Sequence, residues 1–406
     1  MILDMQMSDY TQLPHRVESD LIMACATTVV TEERRSAIRL LVGECRDWEY
    51  FLQACLNHRV SSLICHTLEA NAADLVPKQI QEVLRGRFRA NACRNLFLTH
   101  ELLLLIQQFR SNGIEVIPFK GLLLAITSYG NVALREFVDL DILVPKKDFR
   151  RACMLMADWG YRSSSDQAGQ IAESHFKSQL GLDFFREDGR VTLELHWSFV
   201  QAWLGFNADL GTIWARSQPV KVGQVSVLDL PTDVALLYYC AHGAKHRWSR
   251  LCWLVDVAEV IRRQTGLNWE ALLAQAESSG CQRTLFIGLQ LAKNLLGASI
   301  PVPVSARIEQ DKQALLLAHS IGLQMFTPDK DFVHQQFGWE RDWFNIRTKE
   351  RWREKLIYLS QLVVWFIKPN EKDRTWVHLP RGFHWLYPVI RPIRIACQTH
   401  QTIDAL

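Results

Sequence analysis

Three acidic residues have the types and spacing of a metal-binding site. Asp139 and Asp141 are two positions apart in the apolar segment 136–144, and Glu194 lies in the middle of a second apolar segment, 190–199. If both segments are strands, side chains two positions apart point to the same face. Crowded carboxylates repel each other and lose solvation unless a divalent cation neutralises them. Mg²⁺ takes oxygen ligands, so three acids on adjacent strands predict a two-metal site for phosphoryl or nucleotidyl transfer.

The elements around these acids are predicted to be a short alternation of strands and helices. Segment 114–119 is short and β-branched, which predicts a buried strand ending at Lys120 and Gly121. A helix follows, and then the strand with the D-x-D pair and a helix over residues 147–159. A turn at 187–189 precedes the next strand. A D-x-D pair is common by chance, so the order of these elements carries more information than the pair alone.

Apolar residues recur at helical spacing on both sides of this block, which predicts an α+β protein with a small mixed-sheet core between helical regions. Segment 299–305 (SIPVPVS) is predicted to be a loop. The predicted organisation has four parts: residues 1–112 form an N-terminal helical region, 113–230 the core, 231–345 a C-terminal helical domain, and 346–406 a helical tail rich in basic and aromatic residues.

One ordered set of residues connects these elements: Lys120, Gly121, Arg135, Asp139, Asp141, Glu194, His196 and Trp197. In this order the sequence resembles an uncharacterised nucleotidyltransferase family of the DNA polymerase β-like superfamily. The resemblance covers most of residues 35–290, with the helical flanks matching in pattern rather than in motif. It implies Mg²⁺-dependent transfer of a nucleoside monophosphate from a nucleoside triphosphate (NTP) to an acceptor hydroxyl of unknown identity.

The resemblance also implies roles for single residues. Asp139, Asp141 and Glu194 would be the catalytic metal ligands, and Glu194 would also deprotonate the acceptor hydroxyl. Lys120 and Arg135 would neutralise charge on the phosphates. An alternative for Arg135 is a surface salt bridge with a neighbouring acid.

Two further residues are expected beside the nucleotide. The backbone at Gly121 and the start of the following helix would stabilise the phosphates. His196 is two positions after Glu194, so it shares that face and would orient an acid or the acceptor. The alternative is a structural histidine at the end of a strand.

The sequence departs from the superfamily pattern in the loop after the first strand. Leu122 stands where Ser is expected, and the interval from Gly121 to Asp139 is longer than usual. Lys120 would replace some of the missing phosphate donors. The alternative is a catalytically inactive binding or regulatory module, and this alternative gains if Leu122 fills the phosphate space.

A second candidate site lies on a predicted helix over residues 233–244. His242 and His246 are four positions apart and share a helical face, and Asp256 would complete a zinc site of a metal-dependent hydrolase. Gly243 occupies the position where metalloproteases have a catalytic Glu, which disfavours this reading. The resemblance instead predicts that His242, Lys245, His246 and Arg247 line the substrate cleft.

Composition limits the remaining partners and the compartment. The formal charge of +3 over 406 residues gives no strong indication of nucleic-acid binding. Ten cysteines without a C-x-x-C pair indicate reduced thiols. The first 20 residues resemble no signal peptide, and the apolar run 356–367 is too short to cross a bilayer. These features predict a cytoplasmic protein without a transmembrane segment.

Overall fold

The computed structural model describes residues 15–163, 180–198, 209–263, 266–327, 339–369 and 371–403. The chain forms two compact units, Met1–Thr348 and Lys349–Leu406. The predicted boundaries at 112/113 and 230/231 both fall inside the first unit.

Helices precede the sheet, as the apolar periodicity predicts. In the described residues they are α1 (Arg16–Cys25), α2 (Glu32–Glu44), α3 (Trp48–Asn57), α4 (Ser61–Asn71) and α5 (Lys78–Ser111). Two of them begin at side-chain caps, because Thr31 and Asp47 accept hydrogen bonds from backbone N–H groups of the first turn. The last helix, α5, is 34 residues long and leads directly to the sheet.

The core of the first unit is a five-stranded mixed sheet in the order β1-β2-β5-β4-β3. Its strands are β1 (Ile117–Phe119), β2 (Leu140–Leu143), β3 (Tyr161–Ser163), β4 (Gly181–Arg186) and β5 (Thr192–His196). Two helices are inserted between them, α6 (Gly121–Thr127) and α7 (Phe149–Asp158). Strand β2 runs parallel to β5, whereas the other three pairings are antiparallel. The predicted α+β fold is confirmed.

The two faces of the sheet differ in character. Alternate residues of β2 and β5 point into one hydrophobic cluster, namely Leu140, Ile142, Leu193 and Leu195. The same cluster contains buried side chains of α5 and α7. Because side chains alternate along a strand, the intervening residues Asp141, Glu194 and His196 face the other way. The apolar half of each strand therefore fixes the polar half on the opposite face.

A hairpin and a second group of helices complete the first unit. The described elements are α8 (Leu210–Arg216), β6 (Gln218–Val222), β7 (Val225–Asp229), α9 (Thr232–Lys245), α10 (Leu251–Arg263), α11 (Trp269–Ser278), α12 (Gln282–Leu296), α13 (Val302–Gln310), α14 (Lys312–Gln324) and α15 (Trp339–Thr348). Helix α9 is buried on almost all sides. It is the central helix of this group.

The second unit is helical where it is described. Its elements are α16 (Trp352–Ile367), α17 (Glu371–Trp376), a 3₁₀ helix (Arg381–Leu386) and α18 (Tyr387–Ile403). Buried Asp373 accepts hydrogen bonds from Arg391 and Arg394, which ties α17 to α18. No helix in the described part of the chain combines the length and the apolar character that crossing a membrane requires.

The structure corrects two local predictions and confirms one. Segment 299–305 is not wholly a loop, because Pro301 fixes the backbone before α13 and the helix begins at Val302. Asp139 lies just before β2 rather than inside a strand. The turn at 187–189 is confirmed, because Gly189 adopts a positive φ of 69° and its N–H donates to the Arg186 carbonyl.

Candidate active site

Lys120 is held in a conformation that lysine rarely adopts. It follows β1 and has φ 58° and ψ −145°, a backbone region normally reserved for glycine. For a residue with a side chain, this conformation costs about 1–3 kcal/mol of free energy. Its Nζ lies 2.7 Å from Oδ1 of Asp141 and over the ring of Tyr238, 5.4 Å from the centroid. The turn after β1 therefore directs a cation onto the acidic face of the sheet.

Asp141, Glu194 and His196 form the centre of this face. Asp141 pairs in register with Glu194 across the parallel strands β2 and β5. The Nε2 atom of His196 lies 3.2 Å from Asp141 Oδ1 and 3.1 Å from Glu194 Oε2. One ligand atom from each of the three residues lies within 4.8 Å of the others, so together they could hold a metal ion. The sequence-predicted convergence of Asp141 and Glu194 is present.

The charges of these groups depend on each other. Burial would raise the pKa of Asp141, but the charge of Lys120 and a hydrogen bond from His196 lower it to about 2. Burial would lower the pKa of Lys120, and the Asp141 carboxylate instead raises it well above its usual value. Burial also opposes the His196 cation, yet hydrogen bonds to Asp141 and Glu194 raise its pKa. Lys120 and His196 thus stabilise buried negative charge where a metal would otherwise do so.

Asp139 differs from the other two acids. It lines the same cavity but lies outside the cluster of Asp141, Glu194 and His196. Burial, and then the charge of Asp141, raise its pKa to about 6. A cation bound beside Asp139 would relieve this cost.

The donor set fits a divalent cation. Carboxylate oxygens suit Mg²⁺, and the imidazole adds a nitrogen ligand that Mn²⁺ or Zn²⁺ also accepts. The Nδ1 atom of His196 is buried without a hydrogen-bond partner among the described residues. This nitrogen lies beside Gly181 of β4, whereas Nε2 faces the two carboxylates and is the atom that could bind a cation there.

A cavity of about 320 Å³ opens over this face. It is lined by ten of the eleven residues that the sequence analysis assigned to the site or the cleft: Lys120, Gly121, Arg135, Asp139, Asp141, Glu194, His196, His242, Lys245 and His246. Helix α9 forms the facing wall, with Tyr238, His242 and Lys245. Arg247 was also predicted to face the cleft but is not a lining residue, because α9 ends at Lys245 and the chain turns through positive φ angles at Arg247 and Trp248.

Arg135 has a partner that the sequence did not suggest. Its guanidinium makes two hydrogen bonds of 2.8 Å to the carboxylate of Asp256, which also accepts a 2.7 Å hydrogen bond from Tyr129. Asp256 is buried, and the Arg135 side chain is 11% exposed. A bidentate buried pair of this kind links the core to α10. It leaves less of Arg135 available for a phosphate.

A family comparison agrees with this geometry. The family model described as uncharacterised nucleotidyltransferase matches residues 44–297, more than half of the chain. The chain belongs to this family. The comparisons with curated proteins and with solved structures gave no match. The match covers the sheet, the acidic face, and helices α9 and α10.

The structure argues against two alternatives from the sequence analysis, the zinc-dependent hydrolase and the inactive module whose phosphate space is filled by Leu122. Asp256 is engaged by Arg135 and Tyr129, so the zinc set of His242, His246 and Asp256 is not assembled in the described residues. Leu122 is buried in the hydrophobic cluster beneath the sheet instead of filling the cavity. The space expected for phosphate is therefore open.

Sequence reasoning missed several residues of the cavity wall. Arg59 comes from the connection between α3 and α4, Tyr238 from α9, and Arg250 and Trp253 from the start of α10. None of them belongs to a recognisable motif. Only the aromatic and basic composition of segment 238–253 could have drawn attention to part of this set.

Proposed function

We propose that this nucleotidyltransferase carries out Mg²⁺-dependent transfer of a nucleoside monophosphate from an NTP to an acceptor hydroxyl. The observation that carries the proposal is the pairing of Asp141 with Glu194 on adjacent parallel strands, in a cavity that also contains Lys120 and Asp139. The family supports the reaction class. The acceptor is left open, because a sugar, a small molecule and a protein side chain all present hydroxyl groups.

In this proposal Asp139, Asp141 and Glu194 hold Mg²⁺, which when bound neutralises negative charge on the triphosphate. His196 bridges Asp141 and Glu194 in the absence of metal, and its imidazole orients Glu194 when the carboxylates take their ligands. Since these groups are already gathered on a rigid sheet, little reorganisation is needed on binding.

The chemical step is an in-line displacement at phosphorus. The acceptor oxygen forms a bond to the α-phosphorus, and the bond from that phosphorus to the bridging oxygen of the β-phosphate breaks. Pyrophosphate leaves, and the acceptor proton passes to the carboxylate of Glu194. Glu194 suits this position because its side chain is 36% exposed, whereas that of Asp141 is 2% exposed.

The other lining residues act on the phosphates and on substrate position. Lys120 contributes a fixed positive charge as negative charge develops on the leaving group. Gly121 allows the backbone to approach the phosphates closely, since it has no Cβ. His242 and Lys245 close the helical wall, and Lys245 adds a second cation. Arg135 acts through Asp256 and keeps the turn before β2 in place.

Calorimetric titration with each of the four NTPs tests the proposal. We expect binding that requires Mg²⁺ and that is lost in Asp141→Asn and Glu194→Gln. Asp158→Asn is the matched control, because Asp158 is exposed at the end of α7 and lies outside the cavity. Binding by Asp141→Asn with wild-type affinity and metal dependence would show that the site is not the one proposed.

A further inference from the structure

Two arginines of the cavity wall come from separate parts of the chain and are fixed by one histidine. Arg59 follows α3, and Arg250 precedes α10. Between them, His58 accepts a hydrogen bond from the Leu251 N–H at its Nδ1 (3.1 Å), and its carbonyl accepts one from the Cys252 N–H (3.2 Å). Each arginine is therefore the immediate neighbour of a residue in this connection.

The connection is rigid. His58 is buried, with 3% of its surface exposed, and its ring lies 4.7 Å from that of Phe326. Arg59 adopts a left-handed conformation with φ 54°, which is uncommon for a residue with a side chain. Trp248 also has a positive φ, and its ring fills the space in front of Gly243, where a Cβ would collide with it. Both segments that carry the arginines are thus held in defined conformations.

The charges of this wall are not balanced within the described part of the chain. Neither Arg59 nor Arg250 makes an ion pair there, although both are half-buried. Burial, and then the charge of Arg59, lower the pKa of Arg250. Glu136 also lines the cavity, and the charge of Arg59 opposes the rise that burial causes in its pKa. Its carboxylate accepts a 2.9 Å hydrogen bond from the Ser62 N–H and makes no ion pair with Arg59 in the described residues. Two repelling guanidinium groups are expensive to bury unless an anion joins them.

Neighbouring groups add to the same polarity. Lys245 lies on this wall, and His246 stacks on Trp253 with ring centroids 4.7 Å apart. Burial, and then the charge of Lys245, lower the pKa of His246 to about 3, so its imidazole is neutral near pH 7. The guanidinium of Arg250 lies 5.8 Å from the Trp253 ring centroid. Apart from Glu136, this wall presents cations and neutral donors, whereas the sheet presents acids.

We propose that Arg59 and Arg250 form a phosphate-binding subsite, separate from the acidic metal-binding face. The proposal rests on the proposed function only in that a phosphorylated ligand enters this cavity. Guanidinium groups bind phosphate oxygens in a planar, bidentate manner, which favours phosphate over a single carboxylate. The phosphate belongs either to the β- and γ-positions of the NTP or to a phosphorylated acceptor.

Titration with inorganic pyrophosphate in the absence of metal tests the subsite. Loss of one charge-assisted contact weakens binding by about tenfold or more, so we expect this loss in Arg59→Gln and in Arg250→Gln. Arg250→Lys keeps the charge but loses the bidentate geometry, and its affinity should be intermediate. Arg89→Gln removes the same charge from an exposed position of α5 and should bind as the wild type does.

The two sources of the phosphate are distinguished by adding NTP. If the subsite holds the terminal phosphates of the nucleotide, NTP displaces pyrophosphate and both substitutions weaken NTP binding. If it holds a phosphate of the acceptor, pyrophosphate binds alongside the NTP. Unchanged pyrophosphate affinity in folded Arg59→Gln and Arg250→Gln would overturn the subsite. This result is independent of the metal-site test, which uses Asp141→Asn and requires Mg²⁺.

Discussion

At the residue scale, the acidic centre depends on a glycine that has no chemical role. Gly181 pairs in register with His196, and a Cβ at this position would collide with the Leu195 carbonyl and crowd the His196 ring. A backbone carbonyl cannot move aside as a flexible side chain can. The strand pair β4–β5 therefore requires glycine beside His196.

Gly181→Ala should consequently lower the free energy of unfolding by about 1–3 kcal/mol, as overpacking typically does, and weaken metal-dependent NTP binding. Gly43→Ala is the control, because no atom lies near its added Cβ and it lies in helix α2, where alanine is favoured. Urea denaturation of both variants measures the difference. If the two variants had equal free energies of unfolding, the structure around residue 181 would accommodate the added methyl group without loss of stability.

The ion pair of Arg135 and Asp256 gives a second prediction at this scale. Breaking a buried ion pair leaves an uncompensated charge, so Arg135→Gln and Asp256→Asn should each lower the free energy of unfolding by about 3–5 kcal/mol. The double variant should lose less than the sum, since the two residues share one interaction. A denaturant double-mutant cycle provides the coupling energy. If Arg135→Gln kept the stability of the wild type but lost affinity for NTP, the result would instead support direct contact between Arg135 and a phosphate.

At the element scale, His58 joins the α3–α4 connection to the start of α10. Burial, and then the charge of Arg250, lower the pKa of His58 to about 4. A histidine with a depressed pKa in the folded state stabilises the protein above its unfolded pKa of about 6.5 and loses this contribution as the pH falls towards 4. The connection should therefore weaken in mildly acidic solution.

His58→Gln keeps a hydrogen-bond acceptor but removes the titration. Between pH 7 and pH 5 the wild type should lose about 2 kcal/mol more unfolding free energy than this variant. His66→Gln, at an exposed position of α4, should retain the wild-type pH dependence. Urea denaturation at a series of pH values measures these differences. If the free energy of unfolding depended on pH in the same way for His58→Gln and the wild type, the result would contradict a neutral, buried His58.

The sequence predicted the elements whose signals are local. Alternation along β5 placed Glu194 and His196 on one face, because two-residue periodicity needs no distant information. That Asp141 of β2 joins them was expected from the order of the elements and the family resemblance. The same reasoning could not find Arg59 or Arg250, which reach the cavity through contacts between segments almost 200 positions apart. Nor could it find Asp256 as the partner of Arg135, for which neighbouring acids were the natural candidates.

At the scale of the whole molecule, the described lining residues of the cavity all belong to the first unit. Its lining residues extend from Arg59 to Trp253, and this unit spans Met1–Thr348. The three predicted parts of this unit all contribute to the site: Arg59 from the N-terminal helices, the acids from the sheet, and Lys245 from the C-terminal helices. The helical regions are components of the site as well as flanks of the core.

Truncation after Thr348 should accordingly leave Mg²⁺-dependent NTP affinity within about twofold of the full chain, because every lining residue in the described part of the chain is retained. Circular dichroism confirms folding, and calorimetry measures the affinity. Folded truncated protein that no longer binds NTP would show that the second unit takes part in the site.

The central claim is that the acidic face of the sheet binds the divalent cation of a nucleotidyl transfer reaction. It is tested most directly by anomalous X-ray scattering from crystals grown with Mn²⁺ and a non-hydrolysable NTP analogue, since Mn²⁺ accepts the same oxygen ligands as Mg²⁺. We predict an anomalous peak between the carboxylates of Asp141 and Glu194, with the triphosphate beside Lys120. A bound analogue elsewhere, or a peak absent from these carboxylates while His196 still bridges them, would contradict the claim.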